Sequence, residues 1–498
     1  MSDTHFDVII VGAGLSGVGA ARHLQLNCPG KTFTLLEGRE SIGGTWDLFR
    51  YPGIRSDSDM YTLGYSFRPW KESKAIADGP SILKYVKDTA SEASIDQHIR
   101  LSHQVKRASW STADAAWTVE CEVGPDKTVT QLTCNFLFMC SGYYSYAGGY
   151  TPDFAGTERF AGQIIHPQKW PENLDYAGKK VVIIGSGATA VTLVPEMAKT
   201  AAHVTMLQRS PTYIVARPDH DAVADWLRAR LPAKLAYSLT RWKTVLLGMY
   251  FFRMCRKAPD RVKALLLSGV RAALGPDYDI KKHFTPKYNP WEQRLCLVPN
   301  GDLFTAIKDG KASVVTDQIE TFTETGLTLK SGETLDADIV VTATGLNLEL
   351  LGGLQVTIDG VPTDVSKTIS YRGMMYSGLP NLASSFGYTN ASWTLKCDLT
   401  CEYVCRLINH MDKKGLRQAT PVQRDASIGT EPWLDFSSGY VTRSIDKFPR
   451  QGDRAPWKLH QNYALDIMNL RFSSLADGVM EFSNPVKAKA AKRVVETV

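Results

Sequence analysis

Apolar residues along this chain repeat one arrangement twice. The β-branched run at residues 6–11 leads into a glycine-rich turn and then into helix-forming residues 18–25. A second such run at residues 181–184 leads into another glycine-rich turn and another helical stretch. Strands that are apolar on both faces are typical of parallel sheets covered by helices on each side. The pattern predicts an α/β fold with two Rossmann-like dinucleotide-binding domains.

Two further apolar stretches, residues 136–142 and 338–345, each end in a small residue followed by glycine. Both are predicted to mark crossings of the chain between the two domains. The first domain is therefore predicted to be discontinuous, formed by residues 1–143 together with 346–498. The second is predicted to span residues 150–345.

The second predicted domain contains a helical insertion at residues 219–285, which is rich in Leu, Ala, Lys and Arg. Its apolar run at 245–252 is flanked by basic residues, so a helix lying on a membrane surface is one interpretation. The run is too short to span a bilayer, which favours an insertion packed against the nucleotide domain. Membrane contact that is at most peripheral stays open.

Composition excludes several classes of protein. The formal net charge of +6 is spread over 498 residues and forms no block typical of nucleic-acid binding. The N-terminal residues carry no signal-peptide pattern, and no long apolar run predicts a membrane span, so we expect a cytoplasmic protein. The nine cysteines include no C-x-x-C pair, which predicts reduced thiols and no metal site. Cys397, Cys401 and Cys405 recur every four residues, as on one packed helix face.

The first glycine turn has the residues of a dinucleotide site. Gly12 permits the tight turn, Gly14 permits close approach to a pyrophosphate, and Gly17 permits close packing of helix and strand. Ser16 adds a hydroxyl near the phosphates. Glu37 ends the next strand, where a carboxylate can bind ribose hydroxyls. This turn predicts an adenosine cofactor with an unphosphorylated ribose.

The second glycine turn differs at the matching position. Gly185, Gly187 and Ala190 form the turn, but the following strand ends in Gln208 and Arg209 instead of an acid. Arginine can pair with a 2′-phosphate, which a carboxylate would repel. The second site is therefore predicted to bind NADPH in preference to NADH. Two such sites in one chain suggest electron transfer from NADPH to FAD.

Residues 160–171 resemble the fingerprint F-x-G-x-x-x-H-x-x-x-W-P of the Baeyer–Villiger monooxygenases, which are class B flavoprotein monooxygenases. Every specified position matches, namely Phe160, Gly162, His166, Trp170 and Pro171. The resemblance implies that these five residues serve as a structural hinge between the nucleotide domains, although a histidine could also act in proton transfer. It implies FAD and NADPH as cofactors.

A second motif of the family matches residues 43–57, with Trp46, Tyr51 and Asp57 in register. The family's active-site arginine falls on Arg294 by the same resemblance. A fixed cation there would stabilise the anionic flavin peroxide and its adduct with a carbonyl, with Asp57 positioning the guanidinium. A purely structural ion pair is the alternative. Gln293 replaces the lysine of many relatives, which leaves the strictness of NADPH selectivity open.

The resemblance implies one set of residues that bind FAD and one set that bind NADP. The FAD set is Gly12, Gly14, Ser16, Gly17, Glu37, Thr45, Trp46, Asp57, Tyr61 and Val105. The NADP set is Arg55, Ser56, Asp57, Gly185, Ser186, Gly187, Ala188, Thr189, Ala190, Gln208, Arg209 and Trp457. Trp457 begins a W-x-x-x-x-N segment that folds over NADP in the family.

The predicted activity is an NADPH- and O2-dependent FAD monooxygenase that converts ketones to esters or lactones. Sulfides or thioamides are further expected substrates, because the flavin peroxide can also donate oxygen to sulfur. One alternative is an S- or N-oxygenating flavin monooxygenase. Another is a redox sensor that only binds the nucleotides, which the Arg294 and Asp57 pair disfavours. The expected partners are a small-molecule substrate and O2, without nucleic acid, and the oligomeric state is left open.

Overall fold

A computed structural model describes residues 4–485 of the chain. Its strands, in chain order, are β1 His5–Val11, β2 Phe33–Leu36, β3 Ile99–Arg100, β4 His103–Ser111, β5 Ala116–Val123, β6 Thr128–Met139, β7 Gln163–Ile165, β8 Lys180–Ile184, β9 His203–Gln208, β10 Ile214–Arg217, β11 Cys296–Pro299, β12 Ala312–Thr316, β13 Ile319–Thr323, β14 Gly326–Leu329, β15 Thr334–Asp336, β16 Ile339–Thr342, β17 Gln355–Ile358, β18 Val361–Thr363, β19 Ser370–Tyr371, β20 Met375–Tyr376, β21 Leu382–Ser384, β22 Gln418–Pro421, β23 Thr430–Pro432, β24 Arg450–Gly452 and β25 Met480–Ser483.

The α-helices connect these strands. In chain order they are α1 Leu15–Asn27, α2 Thr45–Leu48, α3 Met60–Leu63, α4 Gly79–Glu92, α5 Ala188–Met197, α6 Ala222–Arg228, α7 Ala233–Lys257, α8 Pro259–Leu274, α9 Ile280–His283, α10 Asp302–Lys308, α11 Trp393–Lys414, α12 Gly439–Thr442 and α13 Tyr463–Ile467.

The largest sheet surrounds the first glycine turn. Its strand order is β18-β17-β4-β5-β6-β1-β2-β3, and β21 also pairs with β6. Strand β1 pairs in parallel with both β2 and β6, while β4, β5 and β6 form an antiparallel meander. Strand β1 is apolar because one side packs under α1 and α11 and the other lies against the buried residues of the meander.

A second sheet surrounds the second glycine turn. Its five strands run in the order β12-β9-β8-β16-β7, and every neighbouring pair is parallel. Helices α5 and α10 pack on one side of it, and the β13–β15 hairpin meander packs on the other. The predicted α/β fold with two Rossmann-like units is thus confirmed. Both helices start within the glycine-rich segments, at Leu15 and Ala188, and α1 starts earlier than the predicted residue 18.

The assignment of chain segments to domains remains a prediction, and its outer residues 1–3 and 486–498 lie outside the described range. The large sheet takes strands from residues 5–139 and again from residues 355–384, whereas the five-stranded sheet lies between residues 163 and 342. The predicted helical insertion contains α6, α7, α8 and α9. Helix α11 buries Cys397, Cys401 and Cys405. In the described range, no helix combines the length and the apolar character needed to cross a bilayer.

Candidate active site

The first glycine turn contains two positions at which only glycine fits. Gly12 has φ +103°, and a Cβ atom there would lie 2.5 Å from the carbonyl oxygen of Cys140. A Cβ atom on Gly17 would lie 1.8 Å from the carbonyl oxygen of Gly12. The turn therefore closes tightly onto the end of β6. It leaves the N-terminus of α1 free to receive an anionic group.

Glu37 braces this turn from the end of β2. Its side chain is only 1% exposed, and its Oε2 accepts a hydrogen bond from the backbone N–H of Ala13 at 2.8 Å. Its Oε1 accepts another from Arg39 at 3.0 Å. Burial raises the pKa of Glu37, and the two backbone hydrogen bonds oppose that shift. Each carboxylate oxygen has two lone pairs, so both can still accept a hydrogen bond from a ribose hydroxyl.

A cavity of about 290 Å³ opens beside the turn. Of the predicted FAD residues, Gly12, Gly14, Ser16, Thr45, Trp46 and Asp57 line it. The Ser16 hydroxyl accepts a hydrogen bond from Trp393 Nε1 at 2.8 Å. Trp393, 377 residues away in sequence, also lines the cavity and is absent from the predicted FAD set.

Four predicted FAD residues lie outside this cavity's lining, namely Gly17 and Glu37, described above, and Tyr61 and Val105. Tyr61 is buried on α3, and Val105 is buried on β4. A direct role of either residue in binding FAD remains a prediction.

A second cavity, of about 640 Å³, lies at the second glycine turn. Gly185 has φ +139°, and a Cβ atom there would lie 2.4 Å from the carbonyl oxygen of Ala343. At Gly187 a Cβ atom would meet nothing within 4 Å. The space next to Gly187 and the uncapped N-terminus of α5 suit a pyrophosphate group.

The remaining residues of this turn divide between the cavity and the core. Ser186, Ala188 and Thr189 line the cavity with the two glycines, whereas Ala190 is buried behind them. The Ser186 hydroxyl donates to the carbonyl oxygen of Ser210 at 3.1 Å.

The side chains of the adjacent residues Gln208 and Arg209 lie in different places, one in the protein interior and one at the second cavity. The Gln208 amide is buried and donates to the carbonyl oxygen of His283 at 2.7 Å and to Thr316 Oγ1 at 2.9 Å. Arg209 is exposed and lines the second cavity. A second arginine of this cavity, Arg443, stacks on the ring of Tyr150 at 3.6 Å and was not predicted.

Arg294 and Asp57 meet where the two cavities adjoin. The Arg294 Nη1 donates to Asp57 Oδ2 at 2.7 Å, and both side chains are 36% exposed. Arg294 lines both cavities, and Asp57 raises the pKa of Arg294 well above its usual value. The Arg294 Nε is buried and has no hydrogen-bond partner among residues 4–485. An unpaired buried donor at this junction suits an oxygen-bearing ligand.

Three tyrosines surround Arg294 and were not predicted. Tyr143, Tyr144 and Tyr440 lie close enough to interact with its charge. The hydroxyl oxygens of Tyr143 and Tyr144 are 2.8 Å apart. Tyr143 and Tyr144 directly follow Gly142, one of the predicted crossing points, and that position was the available signal. Tyr440 lies on α12 and had no such signal.

The predicted NADP residues Arg55 and Ser56 are engaged with protein groups. Arg55 pairs with Asp302 through bonds of 2.5 and 3.3 Å, while lining the first cavity beside Asp57. The Ser56 hydroxyl accepts from the backbone N–H of Ser58 at 2.9 Å. Trp457 is buried and contacts the ring of Tyr371, with a centroid distance of 5.7 Å, and it lines neither cavity. A role for Trp457 over NADP remains a prediction.

The fingerprint residues contact several segments of the chain, and His166 also lines the second cavity. His166 donates through Nε2 to the carbonyl oxygen of Gly345 at 3.2 Å, and its Nδ1 accepts from the backbone N–H of Gln168 at 3.1 Å. This arrangement requires a neutral ring, and burial lowers the pKa of His166. A Cβ atom on Gly162 would lie 2.3 Å from the carbonyl oxygen of Asp338.

The aromatic members of the fingerprint pack against the second sheet. Phe160 makes an edge contact with Phe322, and Trp170 packs beside the core of the five-stranded sheet, next to Pro171. The hinge function of the five fingerprint residues remains a prediction.

The sequence matches a family and several curated proteins. The family model described as flavin-binding monooxygenase-like matches residues 6–226. The chain is 57% identical over 480 residues to FAD-containing monooxygenase EthA of Mycobacterium tuberculosis, covering 96% of this chain and 98% of that one. It is 49% identical to the probable FAD-binding monooxygenase AlmA of Acinetobacter baylyi, covering 99% and 100% of the two chains.

Solved structures share the fold. An oxidized steroid monooxygenase bound to NADP superposes with a TM-score of 0.71 at 25% identity, covering 84% of this chain and 88% of the other. The open crystal structure of cyclohexanone monooxygenase gives a TM-score of 0.69 at 20% identity, covering 84% and 90%, and supports the fold alone. Together with the two adjoining cavities, the full-length relatives show that this chain belongs to the flavin-binding monooxygenase family and is an FAD-containing, NADPH-dependent monooxygenase.

Proposed function

We propose that this monooxygenase carries out Baeyer–Villiger oxidation, inserting one oxygen atom beside the carbonyl carbon of a ketone to give an ester or lactone. The overall reaction consumes the ketone, NADPH, a proton and O2, and releases the ester, NADP⁺ and water. The observation that carries the proposal is the Arg294–Asp57 pair at the junction of the two cavities.

The described residues suit the two cofactors. The glycine turn, Glu37 and the first cavity would hold FAD, and the Gly185 to Thr189 turn with Arg209 would hold NADPH. Bound FAD, once reduced by NADPH, supplies the group that reacts with dioxygen. The steroid monooxygenase of similar fold is bound to NADP, which supports the second assignment.

Arg294 would stabilise negative charge on oxygen during the reaction. Its guanidinium stays charged at any working pH, since Asp57 raises its pKa further. Its Nη1 donates to Asp57 and its Nε has no partner among residues 4–485, so the guanidinium keeps N–H donors for a substrate oxygen. A preformed donor of this kind acts where charge develops, and removing one commonly slows a reaction by about 100-fold or more.

Asp57 would position Arg294 and reduce the net charge of the site. The ion pair is neutral overall and still offers a directed donor. Its removal from water costs less free energy than that of an isolated cation. Aromatic side chains would exclude water from the same region. Tyr143 stacks on Trp393 with ring centroids 5.1 Å apart, and Phe386 contacts both rings.

We extend the proposal to sulfides and thioamides. Sulfur is nucleophilic and can accept the same oxygen atom directly, without attack on a carbonyl carbon. Such a step makes less use of a cation beside the carbonyl oxygen, so it should depend less on Arg294.

Product analysis by mass spectrometry tests the proposal. The holoenzyme would be supplied with NADPH and with linear, cyclic and aromatic ketones, and separately with an aryl methyl sulfide. We expect esters or lactones from ketones and at least a 100-fold loss of ester formation in Arg294→Ala. Arg209→Gln, assayed at saturating NADPH, serves as the matched control, because it removes an arginine of the second cavity whose expected effect is on KM for NADPH and not on oxygen transfer.

Three results would contradict the proposal. Full ester formation by Arg294→Ala would exclude Arg294 from the reaction. Sulfoxide formation without any ester from the native enzyme would instead favour an S-oxygenating monooxygenase. NADPH-dependent oxygen consumption without an oxidised product would point to an oxidase or a redox sensor.

A further inference from the structure

Helix α7 of the insertion, Ala233–Lys257, exposes an apolar stripe. Leu235, Leu239, Trp242, Leu246 and Tyr250 recur at intervals of three or four residues, so they share one face of the helix. Their exposed fractions lie between 40% and 64%. A helix on a protein surface normally directs polar residues outward, and α7 reverses that pattern.

The opposite face of α7 is anchored to the protein, so its orientation is fixed. Tyr237, Thr240 and Val245 are buried on that face. Arg241 is buried there as well, and its Nη1 donates to the carbonyl oxygens of Tyr61 and Gly64, each at 2.8 Å. These carbonyls lie at the C-terminal end of α3, where a cation is favourable. Rotation of α7 to bury the stripe would break these contacts.

A second element extends the apolar area. The ring of Trp242 lies 5.8 Å from that of Tyr463 at the start of α13. The outward residues of α13 and of the π-helical turn Met468–Phe472 that follows are Leu465, Met468 and Phe472, and Phe472 is 69% exposed. The stripe on α7 together with these three residues is called the apolar outer surface below.

The charges on α7 select the kind of partner. No Asp or Glu occurs between Ala233 and Lys257, whereas Lys234, Arg253, Arg256 and Lys257 are exposed near the two ends of the helix. A second copy placed face to face would bring these like charges together. An anionic lipid surface would attract them while its acyl region received the apolar residues.

We propose that the apolar outer surface docks this enzyme on anionic lipid membranes, with α7 lying in the plane of the interface. The side chains of the stripe enter the boundary between headgroups and acyl chains, and the flanking lysine and arginine residues contact the lipid phosphates. The docking places the membrane close to the first cavity. Asp466 on α13 accepts a hydrogen bond at 2.6 Å from Tyr388, which lines that cavity. This proposal is independent of the Baeyer–Villiger assignment.

Vesicle flotation of the FAD-loaded, full-length enzyme tests the docking. Vesicles of phosphatidylcholine with 30 mol% phosphatidylglycerol would be compared with vesicles of phosphatidylcholine alone. We expect binding to the anionic vesicles that weakens as salt increases, and at least tenfold weaker partitioning of Leu246→Gln/Tyr250→Gln. Arg253→Gln/Lys257→Gln should weaken anionic binding without removing the apolar contribution.

Val361→Gln is the matched control, because Val361 is 65% exposed but lies on β18, the edge strand of the large sheet. NADPH oxidation with a water-soluble sulfide checks that each variant is folded, since none of these residues lines either cavity. Absence of native binding to anionic vesicles at low salt would overturn the proposal. So would light scattering that shows a dimer dissociated by Leu246→Gln/Tyr250→Gln, with vesicle binding unchanged.

Discussion

The hydroxyl oxygens of Tyr143 and Tyr144 lie 2.8 Å apart beside Arg294, and Tyr144 lines both cavities. Burial raises the pKa of Tyr144 well above its usual value, so this phenol stays protonated throughout the working pH range. Tyr144 therefore presents a neutral hydroxyl, hydrogen-bonded to that of Tyr143, next to a fixed cation.

Replacing Tyr144 with Phe should reduce the coupling of NADPH oxidation to product formation. The substitution leaves the half-buried Tyr143 hydroxyl without this partner, so the hydroxyl no longer has a fixed direction beside Arg294. The ratio of product formed to NADPH consumed measures the effect. Tyr143→Phe is the matched comparison, and unchanged coupling in both variants would show that the hydroxyl pair has no part in the reaction.

The Arg294–Asp57 pair should matter more for activity than for stability. Both side chains are 36% exposed, and a pair at that exposure contributes about 1 kcal/mol or less to folding. Asp57→Asn should nevertheless lower kcat for ester formation by about 10- to 100-fold, because Arg294 loses its positioning partner. Thermal unfolding and steady-state kinetics on one preparation separate the two effects. A fall in Tm of more than about 8 °C with unaltered kcat would contradict this ranking.

Arg209 should set the preference for NADPH. It lines the second cavity, and none of the ion pairs found among residues 4–485 involves it, so it is available to a 2′-phosphate. Arg209→Gln should raise KM for NADPH by about 10- to 100-fold, because a charge-assisted contact is lost. It should leave KM for NADH nearly unchanged. Gln293→Lys should have the opposite effect and lower KM for NADPH relative to KM for NADH. Equal changes with both nucleotides in Arg209→Gln would exclude contact with the 2′-phosphate.

Gly17 and Gly187 should respond differently to alanine. A Cβ atom on Gly17 would lie 1.8 Å from a backbone oxygen, so Gly17→Ala should destabilise the protein and release FAD. A Cβ atom on Gly187 would meet open space, and Gly187 has φ −80°, which alanine adopts readily. Gly187→Ala should fold normally, with a KM for NADPH raised about tenfold because the pyrophosphate needs that space. Flavin absorbance and KM measurements check both outcomes, and an unchanged KM in Gly187→Ala would place the pyrophosphate elsewhere.

Stability should fall as the pH is lowered below about 6.5, in part through His166. Burial lowers the pKa of His166 from its usual value of 6.5, so the unfolded chain binds the proton more readily than the folded chain. The contribution of this neutral histidine is therefore present above pH 6.5 and is lost as the pH falls through that value. Urea unfolding at pH 7.5 and pH 5.5 measures the difference. The difference in free energy of unfolding between the two pH values should be smaller in His166→Gln. An identical difference in that variant would show that His166 does not contribute to the pH dependence.

Local sequence determined the parts of the fold that depend on nearest neighbours. The two strand, turn and helix units follow from short apolar runs and from glycines at fixed spacing, which act within about 20 residues. The contrast between Glu37 and Arg209 is also local, since each residue directly follows the first strand after its turn.

Side-chain direction was the first property that required the tertiary structure. Gln208 and Arg209 are neighbours, but only Arg209 reaches the cavity, because successive side chains leave a strand on opposite faces. The direction of the side chains of α7 also required the tertiary structure. Its periodicity distinguishes two faces, and the buried contacts of Arg241 decide which face points outward.

The sequence by itself determined an α/β chain with two nucleotide sites, and resemblance to a family supplied the pairing of Arg294 with Asp57 across 237 residues. The tertiary structure alone brought Tyr440 and Arg443 to the cavities and shows Trp457 buried in the core. The physical reason is the range of the interactions. Turns and strands form from local contacts, whereas these side chains reach their places only when the C-terminal part of the chain packs back against the glycine turns.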